Sequence, residues 1–278
     1  MYLKKTLQFL ATVFAVTVLF LANADFVLAA CNSHSAVFVS TSDQFLSRTD
    51  SLGIVAGATT QNTSIEFWVK INSHPEDNIL FALRDCADTP YSALEVWYYG
   101  GAGSEKLSFA RGRCGVSNGL GDYAVTLTAG TWYHIAETWN GTTIIGYLNG
   151  SQVFSGTPST AAGNNESAKL VGIGARTSGV DRCDCNIDDV RVYTSVLSGA
   201  TISTDYSAPA ELVGNEANLL AYWTFDSSLT TDLTSNNWTL TNNNTVTSST
   251  SVPFPGTGCG GAATVNNDDD WWAFLYGN

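Results

Sequence analysis

Residues 131–154, TWYHIAETWNGTTIIGYLNGSQVF, decide the fold of this chain. Two Asn-Gly pairs, Asn140-Gly141 and Asn149-Gly150, separate runs of apolar, aromatic and β-branched residues. Asn-Gly readily adopts the positive φ angles of a type I′ turn, whose twist matches that of antiparallel strands. The stretch therefore predicts a three-stranded meander, with strands over residues 132–139, 143–148 and 152–154.

The remainder of the chain repeats this pattern of short strands bounded by turn residues. Residues 65–71 alternate between apolar and polar side chains, which predicts a half-buried strand. One short helix is predicted over residues 198–206, where Ser198 can cap the first turn and Ile202 and Tyr206 share a face. Many short strands with a single helix favour an all-β, antiparallel two-sheet sandwich. Further strands are expected at residues 36–39, 45–46, 79–83, 94–99, 107–110, 123–127, 169–173, 187–193, 219–225 and 238–240.

The N-terminal residues 1–30 have the features of a secretory signal peptide. A basic start precedes the apolar run of residues 6–21, and small residues follow. Asn23 and Asp25 argue against a transmembrane anchor, and we expect no transmembrane segment in the mature chain. Residues 28–31, LAAC, also resemble a bacterial lipobox, in which Cys31 would be lipidated. The protein is therefore expected to be secreted or held at the cell surface, with a lipoprotein anchored through Cys31 as an open alternative.

Charge and composition limit the classes of partner. The net charge of −13 argues against a nucleic-acid-binding surface and suits an extracellular protein that can bind cations. We expect one domain over residues 31–255 and a linker with a C-terminal tail over residues 256–278. The linker character begins at about residue 245, where Ser, Thr, Pro and Gly become frequent. The tail joins three aspartates to the apolar run 271–276, which fits an edge strand, a frayed terminus or a docking peptide.

Four segments follow one another in the order that is typical of a known family. They are residues 65–71 (IEFWVKI), 131–150, 187–202 (IDDVRVYTSVLSGATI) and 211–240 (ELVGNEANLLAYWTFDSSLTTDLTSNNWTL). Together they resemble the laminin-G-like, concanavalin A-like jelly-roll family of bacterial secreted proteins. The resemblance spans residues 36–255 and implies a two-sheet jelly roll with one short helix. It also implies, in many members, a structural calcium and a binding or adhesive role, but it names no ligand. The internal cysteines and the aromatic tail depart from the family pattern.

Asp188 is the first candidate for a metal ligand. In a regular strand, Asp188 would share a face with Val190 and Val192, so core-facing valines would bury its carboxylate. A buried carboxylate needs hydrogen bonds, a cation or a changed protonation state. The family resemblance implies a calcium at this aspartate, completed by backbone oxygens near the N-terminus. The alternative is an aspartate that only hydrogen-bonds a loop.

Two further positions complete the expected metal ligands. Asp226 forms a second oxygen-rich group with Asp232 and Asn236, although such residues also cap turns. Their spacing does not match an EF-hand loop, because the required Gly and terminal Glu are missing. Asp43 lies where an early acidic segment of the family falls. We therefore expect calcium, if it binds, to use Asp188 with Asp226 and Asp43.

The cysteines are expected to form disulfides, because an exported protein meets an oxidising compartment. A bond within Cys183-Asp184-Cys185 would be strained, so we expect these two cysteines to pair with Cys86 and Cys114. Cys31 and Cys259 would then tie the ends of the domain together. Zinc is the alternative, but paired Cys-x-x-Cys motifs are missing.

Trp97, Tyr98 and Tyr99 form the main aromatic cluster. In a strand, Trp97 and Tyr99 lie opposite Tyr98, and exposed rings of this kind stack on sugars. The alternative is that the rings pack in the core. We take these three residues as the candidate ligand-binding group. His134, within the central strand, is expected to be a packed or edge histidine.

The expected function is a non-enzymatic binding module for an extracellular glycan or a surface protein. Glycoside hydrolysis needs two carboxylates at a defined separation, and no Glu-x-Asp-x-x-Glu pair is present. One alternative is an assembly protein whose aromatic tail adds a strand to a neighbour. The other alternative is a glycoside hydrolase in which carboxylates that are distant in sequence converge in the fold. The glutamates considered for this role include Glu66, Glu95 and Glu137.

Overall fold

A computed structural model describes the domain as two antiparallel sheets packed face to face with one α-helix. This confirms the all-β jelly-roll sandwich. The predicted signal peptide and the predicted C-terminal tail lie outside the described residues. Those residues are 32–49, 52–54, 61–73, 77–84, 93–112, 120–157, 170–176 and 181–255.

The strands fall into two sheets. Sheet A has the order β10-β9-β8-β3-β12-β1-β15, with β13 also paired to β12, and sheet B has the order β14-β2-β11-β4-β5-β6-β7. The helix is α1 (Gly199–Ser207), and Ser40–Ser42 forms a short 3-10 turn. The strands are β1 (Ser35–Phe38), β2 (Phe45–Arg48), β3 (Thr63–Ile71), β4 (Asp77–Arg84), β5 (Ala93–Tyr99), β6 (Lys106–Gly112), β7 (Leu120–Ala124), β8 (Trp132–Trp139), β9 (Ile144–Leu148), β10 (Ser151–Gly156), β11 (Leu170–Ile173), β12 (Cys185–Tyr193), β13 (Leu219–Trp223), β14 (Thr241–Asn243) and β15 (Thr247–Ser249).

The predicted meander is confirmed as β8–β9–β10, but its two turns differ. Asn149 and Gly150 have φ angles of 50° and 73°, as a two-residue type I′ turn requires. The first turn is wider, because strand pairing resumes only after residues 140–143. There the side chain of Asn140 accepts a hydrogen bond from the backbone N–H of Thr143 at 2.8 Å. A type I′ turn at the first Asn-Gly is therefore wrong, since an Asn side chain organises a longer loop instead.

Strand β3 is buried on both faces, so the prediction of a half-buried strand is wrong. Its apolar positions face sheet B, as expected. On the opposite face Glu66 and Trp68 are buried as well. Tyr206 of α1 and Phe254 lie over the Trp68 ring, with centroid separations of 5.8 and 5.9 Å. The helix and the end of the domain therefore cover the outer face of sheet A, which sequence periodicity could not show.

Helix α1 is confirmed with its cap. The Ser198 hydroxyl accepts a hydrogen bond from the backbone N–H of Thr201 at 3.0 Å, and Ile202 is buried. Within the described part of the chain, no helix has the length and apolar character needed to cross a membrane.

The C-terminal part of the domain differs from the sequence prediction. Residues 238–240 are not a strand; the carbonyl of Trp238 instead accepts a hydrogen bond from the indole N–H of Trp223 at 3.0 Å. Strands β14 and β15 follow, and β15 pairs with β1. The linker therefore does not begin at residue 245, because Val246 is buried and Phe254 still packs against Trp68.

The predicted cysteine pairing is wrong for two residues. Cys183 and Cys185 are bonded to each other, with Cα atoms 5.4 Å apart. Fully extended residues at i and i+2 have Cα atoms about 6.6 Å apart, near the upper limit of about 6.8 Å for a disulfide. Because β12 begins only at Cys185, the chain before it can bend to the shorter distance that most disulfides have. The other cysteines, Cys31, Cys86, Cys114 and Cys259, lie outside the described residues.

Candidate functional site

The first candidate site lies at a fork in sheet A. Strand β12 pairs with β3 along one edge; along the other edge it pairs first with β1 and then with β13. Asp188 and Asp189 lie where the partner changes. The register against β3 shifts here, and Asp189 has a φ of 53°, which marks a β-bulge. The fork thus opens a gap in the sheet beside two adjacent carboxylates.

The bulge overturns the expected orientation of Asp188. Because an extra residue interrupts the alternation, Asp188 does not share a face with Val190 and Val192. It lies directly opposite Trp68, whose side chain is on the outer face of sheet A. Asp188 is nevertheless 0% exposed, since the N-terminal segment covers it. The prediction of a buried carboxylate is confirmed, although for a different reason.

Residues at the start of β1 bring Asp188 and Asp226 together. The Asn32 amide donates a hydrogen bond to Asp188 at 3.1 Å. Asp226, just after β13, accepts hydrogen bonds from the backbone N–H groups of Ser33 and His34 at 2.5 and 2.9 Å. The two aspartates thus hold the N-terminal segment across the fork.

Negative charge exceeds positive charge at the fork. Burial raises the pKa of Asp188 well above its usual value, and the neighbouring Asp189 raises it further. Burial and the neighbouring Asp226 raise the pKa of Glu211 to about 9. The cation at this place is Arg191, which lies 2.7 Å from Asp189 and is shared with a glutamate of β3. One guanidinium does not neutralise the group, so the fork is suited to a cation.

Several oxygens at the fork are buried and have no hydrogen-bond partner among the residues that the structure describes. They are Asn32 Oδ1, Asp226 Oδ2 and both carboxylate oxygens of Glu211. Carboxylate and amide oxygens are the ligands that calcium prefers. No set of three or more His, Cys, Asp or Glu side chains is arranged for a metal within the described residues. The donor set therefore fits calcium only with backbone carbonyls or water completing it, and it does not fit a nitrogen- or sulfur-bound metal.

Asp43 does not belong to this group. Its carboxylate lies 2.7 Å from the guanidinium of Arg182, on an exposed turn after residues 40–42. Asp232 is also separate, since it accepts hydrogen bonds from the backbone N–H groups of Tyr222, Thr234 and Trp238 at 2.9 Å each. Asp43 must therefore be removed from the predicted metal ligands, and the turn-capping interpretation of Asp232 is confirmed.

The second candidate site lies on the outer face of sheet B. Trp97 and Tyr99 of β5 are half-buried on this face, whereas Tyr98 is buried in the core. The Tyr98 hydroxyl accepts a hydrogen bond from the backbone N–H of Leu127 at 3.0 Å. The predicted separation of faces is confirmed, and Tyr98 must be removed from the ligand-binding group because its ring cannot reach a ligand.

A polar network lies beside the two rings. Strand register places Lys106 next to Tyr99, and Ser108 and Asp122 in line with Trp97. The Lys106 ammonium and the Ser108 hydroxyl donate hydrogen bonds to Asp122 at 2.7 and 2.6 Å. Lys106 and Asp122 are 37% and 41% exposed and line an open depression of about 530 Å³ with residues 103–105 and 124–126.

The loop after β11 borders the same face. The Arg176 guanidinium lies 4.8 Å from the centroid of the Trp97 ring. It also makes ion pairs with Asp181 and, at 3.6 Å, with Glu95. The Arg176 side chain therefore covers part of the Trp97 ring, whereas the described residues around Lys106 and Asp122 form the open depression.

Two of the named glutamates lie next to the candidate sites, because Glu66 contacts Arg191 at the fork and Glu95 contacts Arg176 beside Trp97. Glu66, Glu95 and Glu137 are all buried. Burial raises the pKa values of Glu66 and Glu137 to about 7. His134 is buried, as the prediction of a packed histidine expects. Burial and the charge of Arg191 lower its pKa to about 3. A substrate could reach these glutamates only after the packing around them opened.

Sequence reasoning missed the partners at both sites. Asn32 and Glu211 lie in segments with no periodic pattern, and only the fork brings them to Asp188. Lys106 and Asp122 could have been found, because pairing β5 with β6 and β7 in simple hairpin register aligns them with the aromatic residues. The register of β5, β6 and β7 was therefore the signal that could have identified Lys106 and Asp122.

Comparison with solved structures supports the fold. A candidate carbohydrate-binding protein from Bacteroides ovatus matches with a TM-score of 0.60 and 14% identity, over 80% of this chain and 61% of that protein. The chain thus spans less than two thirds of that protein's length. A heptameric SAP-like pentraxin from Limulus polyphemus matches with a TM-score of 0.53 and 16% identity, over 78% of this chain and 94% of its own. At these identities the likeness shows the fold alone.

Sequence comparison supplies the family. Curated proteins give no match. A laminin-G-type family model, described as the concanavalin A-like lectin/glucanases superfamily, matches residues 41–203. The matched region contains the aromatic face, the fork aspartate Asp188 and most of helix α1. The chain therefore belongs to the concanavalin A-like lectin/glucanases superfamily.

Proposed function

We propose that this protein is a non-enzymatic carbohydrate-binding module that acts outside the cell. The observation that carries the proposal is the pair of half-buried rings, Trp97 and Tyr99, beside the exposed Lys106–Asp122 pair on one sheet face. The superfamily contains both lectins and glucanases, so family membership alone does not choose between binding and hydrolysis. The Bacteroides ovatus protein of similar fold agrees with the binding alternative.

The chemistry of this face suits sugars. Aromatic rings stack on the apolar faces of pyranose rings, while hydroxyl groups need both donors and acceptors. Asp122 supplies an acceptor, Lys106 a donor, and Ser108 can act as either. These three side chains are already held in place by their mutual hydrogen bonds. A glycan would therefore meet a surface that is largely preorganised.

A glycan array followed by calorimetry tests the proposal. We expect Tyr99→Ala to weaken binding of a hit about two- to tenfold, the contribution of one ring contact. Tyr99→Phe keeps the ring and serves as the matched control, so it should bind nearly as wild type. Equal binding by wild type and Tyr99→Ala would remove this face as the site. The absence of any glycan ligand would leave recognition of a surface protein as the function.

We further propose that calcium stabilises the fork. Asp188 and Asp226 would hold the ion, with the Asn32 amide oxygen and Glu211 beside them. When bound, calcium would neutralise the excess negative charge and tie the N-terminal segment to β12 and β13. The ion would thus have a structural role, distant in sequence and on a different sheet from the aromatic face.

Thermal unfolding with calcium or a chelator tests the fork. We expect 5 mM calcium to raise Tm relative to EDTA in wild type, and Asp188→Asn to abolish this shift. Asp188→Asn should also unfold at a higher temperature than wild type in EDTA, because it removes one repelling charge. Asp43→Asn is the control and should retain the calcium response. An unchanged shift in Asp188→Asn would rule out the fork as the site.

Export through the N-terminal segment is part of the same proposal. Intact mass of the mature protein distinguishes the two routes: cleavage alone leaves an unmodified chain, whereas lipidation adds a diacylglycerol-sized increment to Cys31. A mass that retains residues 1–30 would contradict both.

A further inference from the structure

We infer that the ligand of the aromatic face is a neutral, hydroxyl-rich glycan and that acidic glycans are rejected. This inference rests on the proposed function and adds the substrate class. It comes from how the cations of sheet B are arranged around Trp97 and Tyr99.

Each described cation that lies near the rings is already paired with a carboxylate. Lys106, beside Tyr99, makes an ion pair with Asp122 at 2.7 Å. Arg176, beside Trp97, makes ion pairs with Asp181 and Glu95. Recognition of a carboxylate or sulfate normally uses an Arg or Lys whose donors are available. At this face the positive charge of each of these two cations is already matched by a carboxylate of the protein.

The surrounding charge also opposes an anionic ligand. Glu105 lines the same depression as the Lys106–Asp122 pair, so the local sum of formal charge is negative. The chain as a whole carries −13. At physiological salt, charges within about 8 Å still act on a ligand. A uronic acid or sulfated sugar would therefore approach a repelling surface.

The paired side chains retain hydrogen-bonding capacity for hydroxyl groups. Hydrogen bonds from Lys106 and Ser108 lower the pKa of Asp122 against the opposing effect of burial, so its carboxylate is ionised at neutral pH and accepts only. Lys106 has further N–H donors beyond the one used for Asp122. Adjacent acceptor and donor groups match two neighbouring hydroxyls of an uncharged sugar. Because Lys106 and Asp122 neutralise each other's charge, they are poor partners for a charged sugar.

Asp122→Asn provides a sharp test because it releases Lys106 without enlarging or emptying the site. Binding should be compared for one neutral polysaccharide, such as a xylan backbone or glucan, and one acidic polysaccharide, such as polygalacturonate. Wild type should bind the neutral ligand only. Asp122→Asn should bind the neutral ligand about tenfold more weakly, through loss of a charged hydrogen bond. It should gain affinity for the acidic ligand of about fivefold at low salt, the effect of one unit charge at ~4 Å in water.

Glu216→Gln is the matched control. Glu216 lies in the loop before β13 of sheet A, where it accepts hydrogen bonds from the backbone N–H groups of Val213 and Gly214. It changes net charge by the same amount as Asp122→Asn, so it should leave both affinities unchanged. A gain of acidic binding in both variants would mean that overall charge, and not Lys106, excludes the acidic ligand.

The outcomes separate the inference from the proposed function. If wild type binds acidic glycans at least as well as neutral ones, and Tyr99→Ala removes that binding, the neutral class is wrong and the carbohydrate function stands. If no glycan of either class binds, the proposed function fails. Neutral binding with a gain of acidic binding in Asp122→Asn alone supports both.

Discussion

A buried ion pair joins the two sheets, and its pH dependence can be predicted. Arg111 of β6 and Glu137 of β8 both point into the sandwich, since they lie opposite the core residues Leu94 and Ile65. Their side chains meet at 2.7 Å and are 3% and 0% exposed. One oxygen of Glu137 and one nitrogen of Arg111 remain without a hydrogen-bond partner. The pair is thus only partly satisfied.

Burial controls the protonation of this pair. It raises the pKa of Glu137 from 4.5 to about 7, against the opposing attraction of Arg111. A carboxyl whose pKa is higher in the folded protein contributes stability below pH 4.5 and loses it as pH rises through about 7. The interval from 4.5 to about 7 corresponds to roughly 3 kcal/mol, because one pKa unit equals about 1.36 kcal/mol.

Glu137→Gln removes this titration and keeps the shape of the side chain. The free energy of unfolding should be measured by urea denaturation at pH 5 and pH 8 for wild type and the variant. Because only a small part of the penalty is present at pH 5 and nearly all of it at pH 8, the variant should gain roughly 2 kcal/mol relative to wild type over this range.

Two further variants check the cause. Arg111→Met removes the attraction that lowers the pKa of Glu137, so its stability should fall more steeply with pH than that of wild type. The double variant Arg111→Met/Glu137→Leu lacks both charges and should be as stable as wild type at pH 8, or more stable. A difference between Glu137→Gln and wild type that stays constant, or that shrinks as pH rises, would refute the reasoning. Arg111 would then outweigh the cost of burial.

Three smaller perturbations test local structure, each by urea denaturation. Ser198→Ala removes the helix cap that binds the Thr201 N–H and should cost about 1 kcal/mol; Ser198→Gly should cost less. Gly150→Ala places a Cβ 3.0 Å from the Cα of Ser203 at a φ of +73° and should cost about 1–2 kcal/mol. Asp232→Ala leaves several backbone N–H donors without an acceptor and should cost about 3 kcal/mol, more than either. Equal losses for all three would contradict the assigned contacts.

The strands could be predicted because their signals are local. The Asn149-Gly150 turn and the alternation of residues 65–71 depend only on neighbouring residues, and both recur in the structure. The second face of β3 could not be predicted, because its cover comes from Tyr206 and Phe254, far along the chain. Periodicity shows which face of a strand is apolar, but it does not show what packs on the other.

The fork was predicted only in part, because local sequence signals identify its carboxylates but do not show which distant residues contact them. Asp188 and Asp226 were identifiable as carboxylates beside strands, and the structure does bring them to one fork. Their alternation was misread because a one-residue bulge at Asp189 shifts every later side chain to the opposite face. Asp43 was misplaced because its turn is held by Arg182, and that contact has no counterpart in the local sequence.

The fork and the aromatic face lie on different sheets, which separates stability from recognition. The fork depends on where β1 and β13 meet β12, whereas Trp97, Tyr99 and Asp122 depend on the register of β5, β6 and β7. The two sheets meet across the core through the Phe67–Phe81 and Phe109–Phe154 ring pairs as well as the Arg111–Glu137 pair. None of the hydrogen bonds described for the Asp188 and Asp226 side chains reaches the polar network beside Tyr99. We therefore expect removal of the proposed calcium to lower the stability of the fork and to leave the proposed ligand surface of the folded protein intact.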